Sequence, residues 1–412
     1  MSDAASYEFL TAESAVDYVR SRPALAERID ADSVSHVQEV GDGNLNLVFI
    51  LSSADGPGLV LKQALPYVRL VGPDWPMTPD RARHEADALT LHAAAAPGLV
   101  PVLFDFSPER HILAMENLSD HRVWRGALND GLRHEGVAAE MGRYVAAVAV
   151  KTSVLGMEAE AQKAMLARAV NPELCTITED LVFTEPYVDA GRNSVLAANE
   201  KDAAELAADD EMVHQMGHAK WMFMTQAEAL IHGDLHTGSV MVRAADGEER
   251  SVPSVKAFDS EFAFYGPVAF DLGALWGNYV IAAARATALG DDDRAAWCLR
   301  LCAETWDAFE AEFRELWPRR LDPRVFRDSM REDMLQTWQR EAWLFGAAKT
   351  ARRIVGLAKT TDIETLEPEL REGAARGVLQ VARRWVRERE KGSASDRAIS
   401  IAGEILLDTT TR

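Results

Sequence analysis

The carboxylate of Asp234 lies between two histidines in His232-Gly233-Asp234-Leu235-His236-Thr237-Gly238-Ser239, directly after the apolar approach Leu230-Ile231. A second acidic group, Asp259-Ser260-Glu261, follows. Between them Ser239–Arg243 and Val255–Phe258 read as short strands joined by a polar turn at Asp246-Gly247. Both acidic groups then stand at the ends of one hairpin and face one cleft. One carboxylate to accept a hydroxyl proton and another to hold a metal ion are what phosphoryl transfer requires. The same residues admit a second chemistry: on an extended strand His232, Asp234 and His236 alternate to one side and form a metal nest for hydrolysis. A buried polar turn without chemistry is the third reading.

A glycine-rich turn upstream favours phosphoryl transfer. Gly41-Asp42-Gly43-Asn44-Leu45-Asn46 separates the strand candidates His36–Val40 and Leu47–Leu51. Its glycines let backbone N–H groups approach phosphate oxygens without a Cβ clash. No helix follows at once, so it is not a dinucleotide fingerprint, although an ordinary hairpin also uses Asp-Gly. Asn46 occupies the place of a third glycine. Lys62 sits inside the apolar strand Leu59–Ala64, where an ammonium needs a charged partner. It either pairs phosphates or, at a sheet edge, snorkels to water. Thr78 and Pro79 read as the N-cap and first residue of a helix running to about Ala96. That helix carries Glu85, as a partner for Lys62 or as a solvated glutamate. Between them Tyr67–Met77, broken by Gly72, Pro73 and Pro76, is a loop whose Trp75 is a lid over a substrate or a core plug.

The elements that must position these groups divide the chain in two. Thr11–Ile29 reads as a helix kinked or divided at Pro23, and Leu99–Phe106 and Ile112–Met115 as the last strands of a first, strand-rich part. Met115-Glu116-Asn117-Leu118 leaves the sheet, so residues 1–116 are expected to form a β-rich lobe and 117–412 a larger helical one, an α+β architecture. His134–Leu155 reads as a helix, and Asp202–Leu230 as one long helix with an acidic start. Phe270-Asp271-Leu272-Gly273 opens another, with Asp271 as its cap by default or as a brace for the Asp234 loop. Arg294–Trp317, Pro323–Ala358, Leu366–Lys391 and Asp396–Leu407 follow as amphipathic helices. In the second of these Arg352 and Arg353 stand about 100° apart. A solvated pair is the default, and one or both facing the cleft is the alternative.

The chain of 412 residues exceeds one typical domain, and 48% hydrophobic content supplies a large core. Lys+Arg total 44 against Asp+Glu 65, a formal charge of −21, which makes nucleic acid and anionic membrane poor partners. An anionic nucleotide therefore needs a local basic site. Cys175, Cys298 and Cys302 fit no zinc spacing; the last two are one helical turn apart and read as core thiols in a reducing compartment. Met1-Ser2-Asp3-Ala4 has neither a basic start nor an apolar run, and the apolar stretch Leu272–Ala284 is too short to span a bilayer. A cytoplasmic protein is expected.

The runs His232–Ser239 and Asp259-Ser260-Glu261-Phe262-Ala263-Phe264-Tyr265-Gly266-Pro267 resemble the signatures of the S-methyl-5-thioribose kinase family. So do the Gly41–Asn46 turn, the Trp75 loop and the Arg352-Arg353 pair, and the resemblance covers most of the chain. It implies the two-lobed protein-kinase-like fold shared with aminoglycoside and choline kinases, in homodimeric cytosolic enzymes of methionine salvage. It implies that Asp234 is the catalytic base facing the sugar's anomeric hydroxyl, and that Asp259 and Glu261 hold Mg2+. Lys62 would pair the phosphates of ATP under a turn containing Gly41, Gly43 and Asn44, and Glu116 and Leu118 would offer hinge backbone to adenine. Arg352 and Arg353 would bind the sugar and offset charge, and Trp75 would lie in the loop that closes over it. Two positions depart from wider patterns: Ser239 replaces the metal-binding asparagine of kinases, a departure shared by family members, and Ser260 stands where many members have proline.

The expected activity is ATP-dependent phosphorylation of the 1-hydroxyl of S-methyl-5-thioribose. A 5-deoxyribose, an aminoglycoside or a choline-like acceptor is the neighbouring alternative, and the arginine pair argues against a cationic one. A nucleotide-binding pseudokinase is the alternative from another class; Lys62, Asp234 and Asp259 together speak against it.

Overall fold

The computed structural model describes residues 7–41, 45–53, 56, 58–69, 71–188, 190–244, 253–389 and 395–410. Gly43, Asn44 and the Asp246-Gly247 turn lie outside them.

Thr11 starts α1 (Ala12–Ser21) through a reciprocal capping box with Ser14, and Pro23 divides the expected helix, opening a separate short 3-10 turn. Strands β1 (Val34–Glu39), β2 (Asn46–Ser53) and β3 (Leu59–Ala64) follow. Helix α2 (Arg81–Ala95) intervenes before β4 (Leu103–Ser107) and β5 (Ile112–Glu116). The sheet is antiparallel throughout, in the order β1-β2-β3-β5-β4. Its two-residue alternation sorts the faces. Leu59, Leu61, Ile112 and Ala114 pack with Tyr18, Val19 and Leu25 on the α1 side. Ala64, Leu113 and Met115 pack with Ala82, Ala86 and Leu89 of α2 on the other. Lys62, in register with Val48 and Leu113, therefore points to the α2 side.

Helix α2 starts two residues later than its capping signal suggested. Thr78 Oγ1 accepts from Asp80 N at 3.2 Å in a turn, so Pro79 precedes the helix instead of opening it.

Beyond β5 come β6 (Arg122–Val123) and α3 (Trp124–Asn129), then α4 (Val137–Lys151), α5 (Ala159–Arg168) and α6 (Pro172–Leu181). The single helix expected over 202–230 is not formed. Instead α7 (Glu200–Ala207) ends and Asp209 caps a fresh helix, α8 (Asp210–Thr225), by accepting from Met212 N at 3.3 Å. Ala229–Ile231 is a buried strand, β7. It pairs with β10 (Phe264–Gly266), while β8 (Val240–Arg243) pairs with β9 (Ser254–Ala257) and β6.

The remainder is helical: α9 (Val268–Ala288), α10 (Asp292–Leu316), α11 (Asp328–Val355), α12 (Thr361–Glu364), α13 (Pro368–Glu388) and α14 (Ser395–Thr410). A five-stranded antiparallel sheet followed by a mostly helical region is the α+β, kinase-like arrangement expected. Helix α9 is buried almost all round, with Cys298 and Cys302 of α10 in the same core. Among the described residues no helix is long and apolar enough to cross a membrane.

Small residues set how closely α9 and α11 approach. A Cβ at Gly273 would lie 2.7 Å from Ala342 O, and one at Gly277 would lie 2.9 Å from Gly346 O. That contact brings the C-terminal half of α11 beside the residues that precede and open α9.

Candidate active site

His232–Ser239 leaves β7 and ends in a 3-10 turn, Thr237–Ser239. Gly233 has φ +82°, and a Cβ there would sit 2.2 Å from Phe262 O, so the turn needs glycine for both conformation and space. This left-handed step breaks the strand alternation on which the metal nest depended. Asp271, four residues into α9, is no cap: its carboxylate accepts from His232 N at 2.8 Å and Gly233 N at 3.1 Å, bracing the loop.

Both histidines are held inside the loop. His232 Nδ1 accepts from Asp234 N at 3.3 Å, which leaves Nε2–H to donate to Phe258 O at 2.9 Å. His236 Nδ1 accepts from Gly238 N at 3.0 Å and lies 3.2 Å from Ser239 Oγ, which leaves Nε2–H facing Asp234 Oδ2 at 3.3 Å. Burial pulls the His236 imidazole down to about 3, so it is neutral when it donates.

Lys349 Nζ takes the other oxygen of Asp234, Oδ1, at 2.5 Å. Burial alone would push the Asp234 carboxyl up, but Lys349, His236 and Arg352 together hold it well below the usual carboxylate range. Burial pulls the Lys349 ammonium down to about 8 against the attraction of Asp234, and its head lies 4.9 Å from the centre of the Phe270 ring. Arg352 and Arg353 are each 8% exposed, so the solvated-pair default does not hold. They stand three and four residues beyond Lys349, which puts all three cations on one side of α11. Arg125 of α3 joins them, donating to Asn278 Oδ1 at 2.8 Å and pairing with Asp362 at 3.2 Å. Lys349 is the functional candidate that reading the sequence passed over, and the Lys349–Arg352–Arg353 spacing was the available signal.

Lys62 is no edge lysine. Its ammonium is buried between Glu85, at 2.7 Å, and Asp259. Glu85 is 2% exposed and so is not the solvated glutamate of the alternative reading. Against the downward pull of burial, Asp259, Glu85 and Glu261 hold the Lys62 ammonium above its ordinary range. Asp259 takes a left-handed conformation at φ +67° and keeps its side chain 43% exposed. Burial pushes its carboxyl up, but Lys62 outweighs this and keeps it ionised. It is near enough to Asp234 for the two charges to repel.

Glu261 is buried and turned the other way. Its Oε2 accepts from Asn46 Nδ2 at 3.0 Å and Arg81 Nε at 3.2 Å. Arg81, fully buried, also donates to Leu45 O and Leu65 O, each at 2.7 Å, and to Thr78 O at 2.8 Å. The return strand of the glycine turn, the Trp75 loop and the acidic triplet are thereby tied to one guanidinium.

The remaining candidates lie outside this ionic network. Gly41 is exposed after β1. Glu116 ends β5, its side chain accepting from Lys256 Nζ at 2.8 Å and Val102 N at 3.1 Å. Leu118 is buried, and its carbonyl accepts from His121 N at 2.9 Å. Trp75 is half-buried in a loop closed by a bridge between Tyr67 and Pro76, with the Arg192 guanidinium 5.4 Å from its ring centre. With Met77, Ile177, Asp180 and Leu181 it lines a cavity of about 260 Å³.

A family described as the phosphotransferase enzyme family matches residues 36–311. A methylthioribose kinase of Enterobacter sp. (strain 638) is 37% identical over 369 residues, covering 88% of this chain and 90% of its own length. A methylthioribose kinase of Citrobacter koseri is 37% identical over 384 residues, covering 92% and 94%. Among solved structures, choline kinase from Cryptosporidium parvum Iowa II is similar with a TM-score of 0.46 at 9% identity, over 97% of this chain and 98% of that one.

Proposed function

We propose, from the premise that the chain belongs to the phosphotransferase enzyme family and to the methylthioribose kinases within it, that it transfers the γ-phosphoryl group of ATP to the 1-hydroxyl of S-methyl-5-thioribose. The observation that carries this is the convergence of Asp234, flanked by three buried cations of α11, with the Lys62–Asp259 pair across the same cleft. An acceptor hydroxyl donates to Asp234. Its oxygen attacks the γ-phosphorus, the bond from that phosphorus to the β–γ bridging oxygen breaks, ADP departs with the electron pair, and the hydroxyl proton passes to Asp234. Lys62 meets the phosphates from the sheet side, and Arg352 and Arg353 offset the charge that spreads over the transferred group.

Residues 1–116 serve the nucleotide in this reading, with Gly41, Gly43 and Asn44 covering the phosphates and Glu116 and Leu118 offering backbone to adenine. Residues 117–412 serve the sugar, with Trp75 reaching over it from the first part. Asp259 fits Mg2+ as a hard oxygen ligand, ionised and partly exposed. Glu261 has one oxygen committed to Arg81 and Asn46, so Oε1 is the atom it would offer. The metal, when bound, neutralises phosphate charge and polarises the γ-phosphoryl group. The reading carries with it a cytoplasmic homodimer acting in methionine salvage.

A 5-deoxyribose lacking sulfur is the nearest second acceptor, since one small apolar group is worth only about 1–3 kcal/mol. Choline and aminoglycosides are disfavoured because Lys349, Arg352, Arg353 and Arg125 repel a cation beside Asp234. ADP release measured with methylthioribose, other 5-modified riboses, choline and aminoglycosides tests the assignment. Methylthioribose is expected to give the highest kcat/KM, and Asp234→Asn to lower its turnover by about 10²-fold or more. Preference for a cationic acceptor would overturn the substrate, and a fully active Asp234→Asn would overturn the base. ATP binding without turnover of any acceptor would favour the pseudokinase.

A further inference from the structure

We infer that Lys349 is a positioning residue for the Asp234 carboxylate, fixing its orientation and setting its basicity. The inference rests on the phosphoryl-transfer reading of the site and deepens it. The geometry is unusual for a lysine. Its head is buried, its hydrogen bond goes to Asp234 Oδ1 at 2.5 Å, and the face of Phe270 closes one side. With His236 Nε2 on Oδ2, both oxygens of Asp234 are held. Each keeps a further lone pair, so the carboxylate can still accept from a substrate hydroxyl, but only in the direction these two donors leave.

The scaffold denies Lys349 any retreat. A Cβ at Gly277 would lie 3.5 Å from Lys349 Cβ and 3.2 Å from Thr350 Cγ2, so α9 and α11 are in backbone contact at this level. The charged and titratable groups around the pair come from every packed element. They are Asp234, His232 and His236 of the loop, Asp259 after β9, Arg352 and Arg353 of α11, Asp271 of α9 and Arg125 of α3. Removing the proton of Lys349 would leave Asp234 with the hydrogen bond from neutral His236 and with the more distant arginines as positive neighbours.

A carboxylate held this far into its ionised form is a weak base. It can orient the hydroxyl from the start but takes the proton late, when bond formation to phosphorus has made that proton acidic. This suits a loose transition state, in which the nucleophile needs aiming more than early deprotonation.

Two opposite limbs of the pH profile read this out. Asp234 must be ionised, so the acid limb of kcat/KM lies low while Lys349 is charged. Lys349 must be protonated, so activity falls again as pH rises through about 8. Lys349→Met should move the acid limb upward by about 1–3 units, the span of one removed opposite charge, and lower kcat with little change in the KM for ATP. Lys349→Arg should keep the low acid limb and lose the basic limb near 8. Carboxyl infrared spectra of each protein, differenced against the same protein carrying Asp234→Asn, follow the Asp234 proton without turnover. A merely structural lysine would scale the whole profile down without moving either limb. An unmoved acid limb and an unmoved Asp234 titration in Lys349→Met would overturn the inference. Where that variant does not fold, a basic limb retained in Lys349→Arg would do so. If the wild type phosphorylates no methylthioribose while the Asp234 titration still moves in Lys349→Met, the substrate reading fails and the role of Lys349 stands.

Discussion

Lys62 holds two carboxylates at once, and its loss has a cost that its place in the strand does not announce. A lysine inside Leu59-Val60-Leu61-Lys62 signals a charged partner, and Glu85 was legible as one. Asp259 was not, because that contact closes across 197 positions of the chain. Replacing Lys62 with methionine keeps the packing volume but strands Glu85, which is buried beside Asp259 and Glu261. We expect Lys62→Met to lower the unfolding free energy by about 3–5 kcal/mol, the usual result of breaking a buried pair. Adding Glu85→Gln should recover part of that stability and none of the ATP turnover. Urea titrations of the two variants decide this, and equal stability of Lys62→Met and wild type would contradict it. Arg352 and Arg353 make a parallel case. Arg352→Lys and Arg353→Lys keep the charge and lose the planar fork of donors. Each should raise the sugar KM or lower kcat more than it changes the KM for ATP. Wild-type sugar kinetics in both would remove the arginines from the site. Residue types and spacing singled out Asp234 and Asp259 as candidates because such groups are costly without a purpose. Lys349 and Arg81 were hidden because their neighbours in sequence make them look like ordinary helix-surface cations.

Element boundaries were legible where a local signal marked them and silent where tertiary contact decided. The capping box at Thr11 marks α1 within the sequence itself. The break at Asp209 does not show in hydrophobic periodicity, because α7 and α8 are both helical and only a side-chain cap separates them. Strand β7 is three residues long and exists through its pairing with β10. Helix α11 carries the clearest prediction at this scale. Its Glu341 is buried, with Oε1 accepting from Gln226 at 3.2 Å and Oε2 without a hydrogen-bond partner among the described residues. Burial, aided by nearby Glu228, raises its carboxyl from 4.5 to about 7. Between those values the folded chain keeps a proton that the unfolded chain has released, so this group's contribution falls as pH rises through that window and is lowest above it. Glu341→Gln should therefore stabilise the protein at pH 8, by on the order of 1–3 kcal/mol, and change little at pH 4. Thermal melts at the two pH values test the sign, and a variant less stable than wild type at pH 8 would contradict it.

At the scale of the whole molecule, the sheet and the helical region meet at the site through ion pairs and a charge-assisted hydrogen bond. Lys62 reaches Asp259, Asn46 and Arg81 reach Glu261, and Lys256 reaches Glu116. The overall division into sheet and helices was legible from the change in period near residue 116. These cross-links were not, since each joins residues more than a hundred positions apart. The first of them has a consequence for ligand binding. Lys62 and Asp259 neutralise each other, yet the proposed reaction assigns the lysine to phosphate and the carboxylate to Mg2+. Nucleotide and metal must therefore separate the pair together, and each ion released needs its new partner. Mg2+ with ATP at a hundredfold excess over its Kd should stabilise the wild type by about 2.7 kcal/mol, and ATP with a chelator should stabilise it less. In Asp259→Ala the lysine keeps its ion pair with Glu85 and the attraction of Glu261, and turns its freed donor to the phosphates. ATP without metal should then bind at least as well as it does to wild type, while the further gain from Mg2+ should largely vanish. Thermal shifts of both proteins with ATP, with and without Mg2+, measure the two increments separately. The same metal increment in Asp259→Ala as in wild type would remove Asp259 from the metal site and leave it as the counter-ion of Lys62 alone.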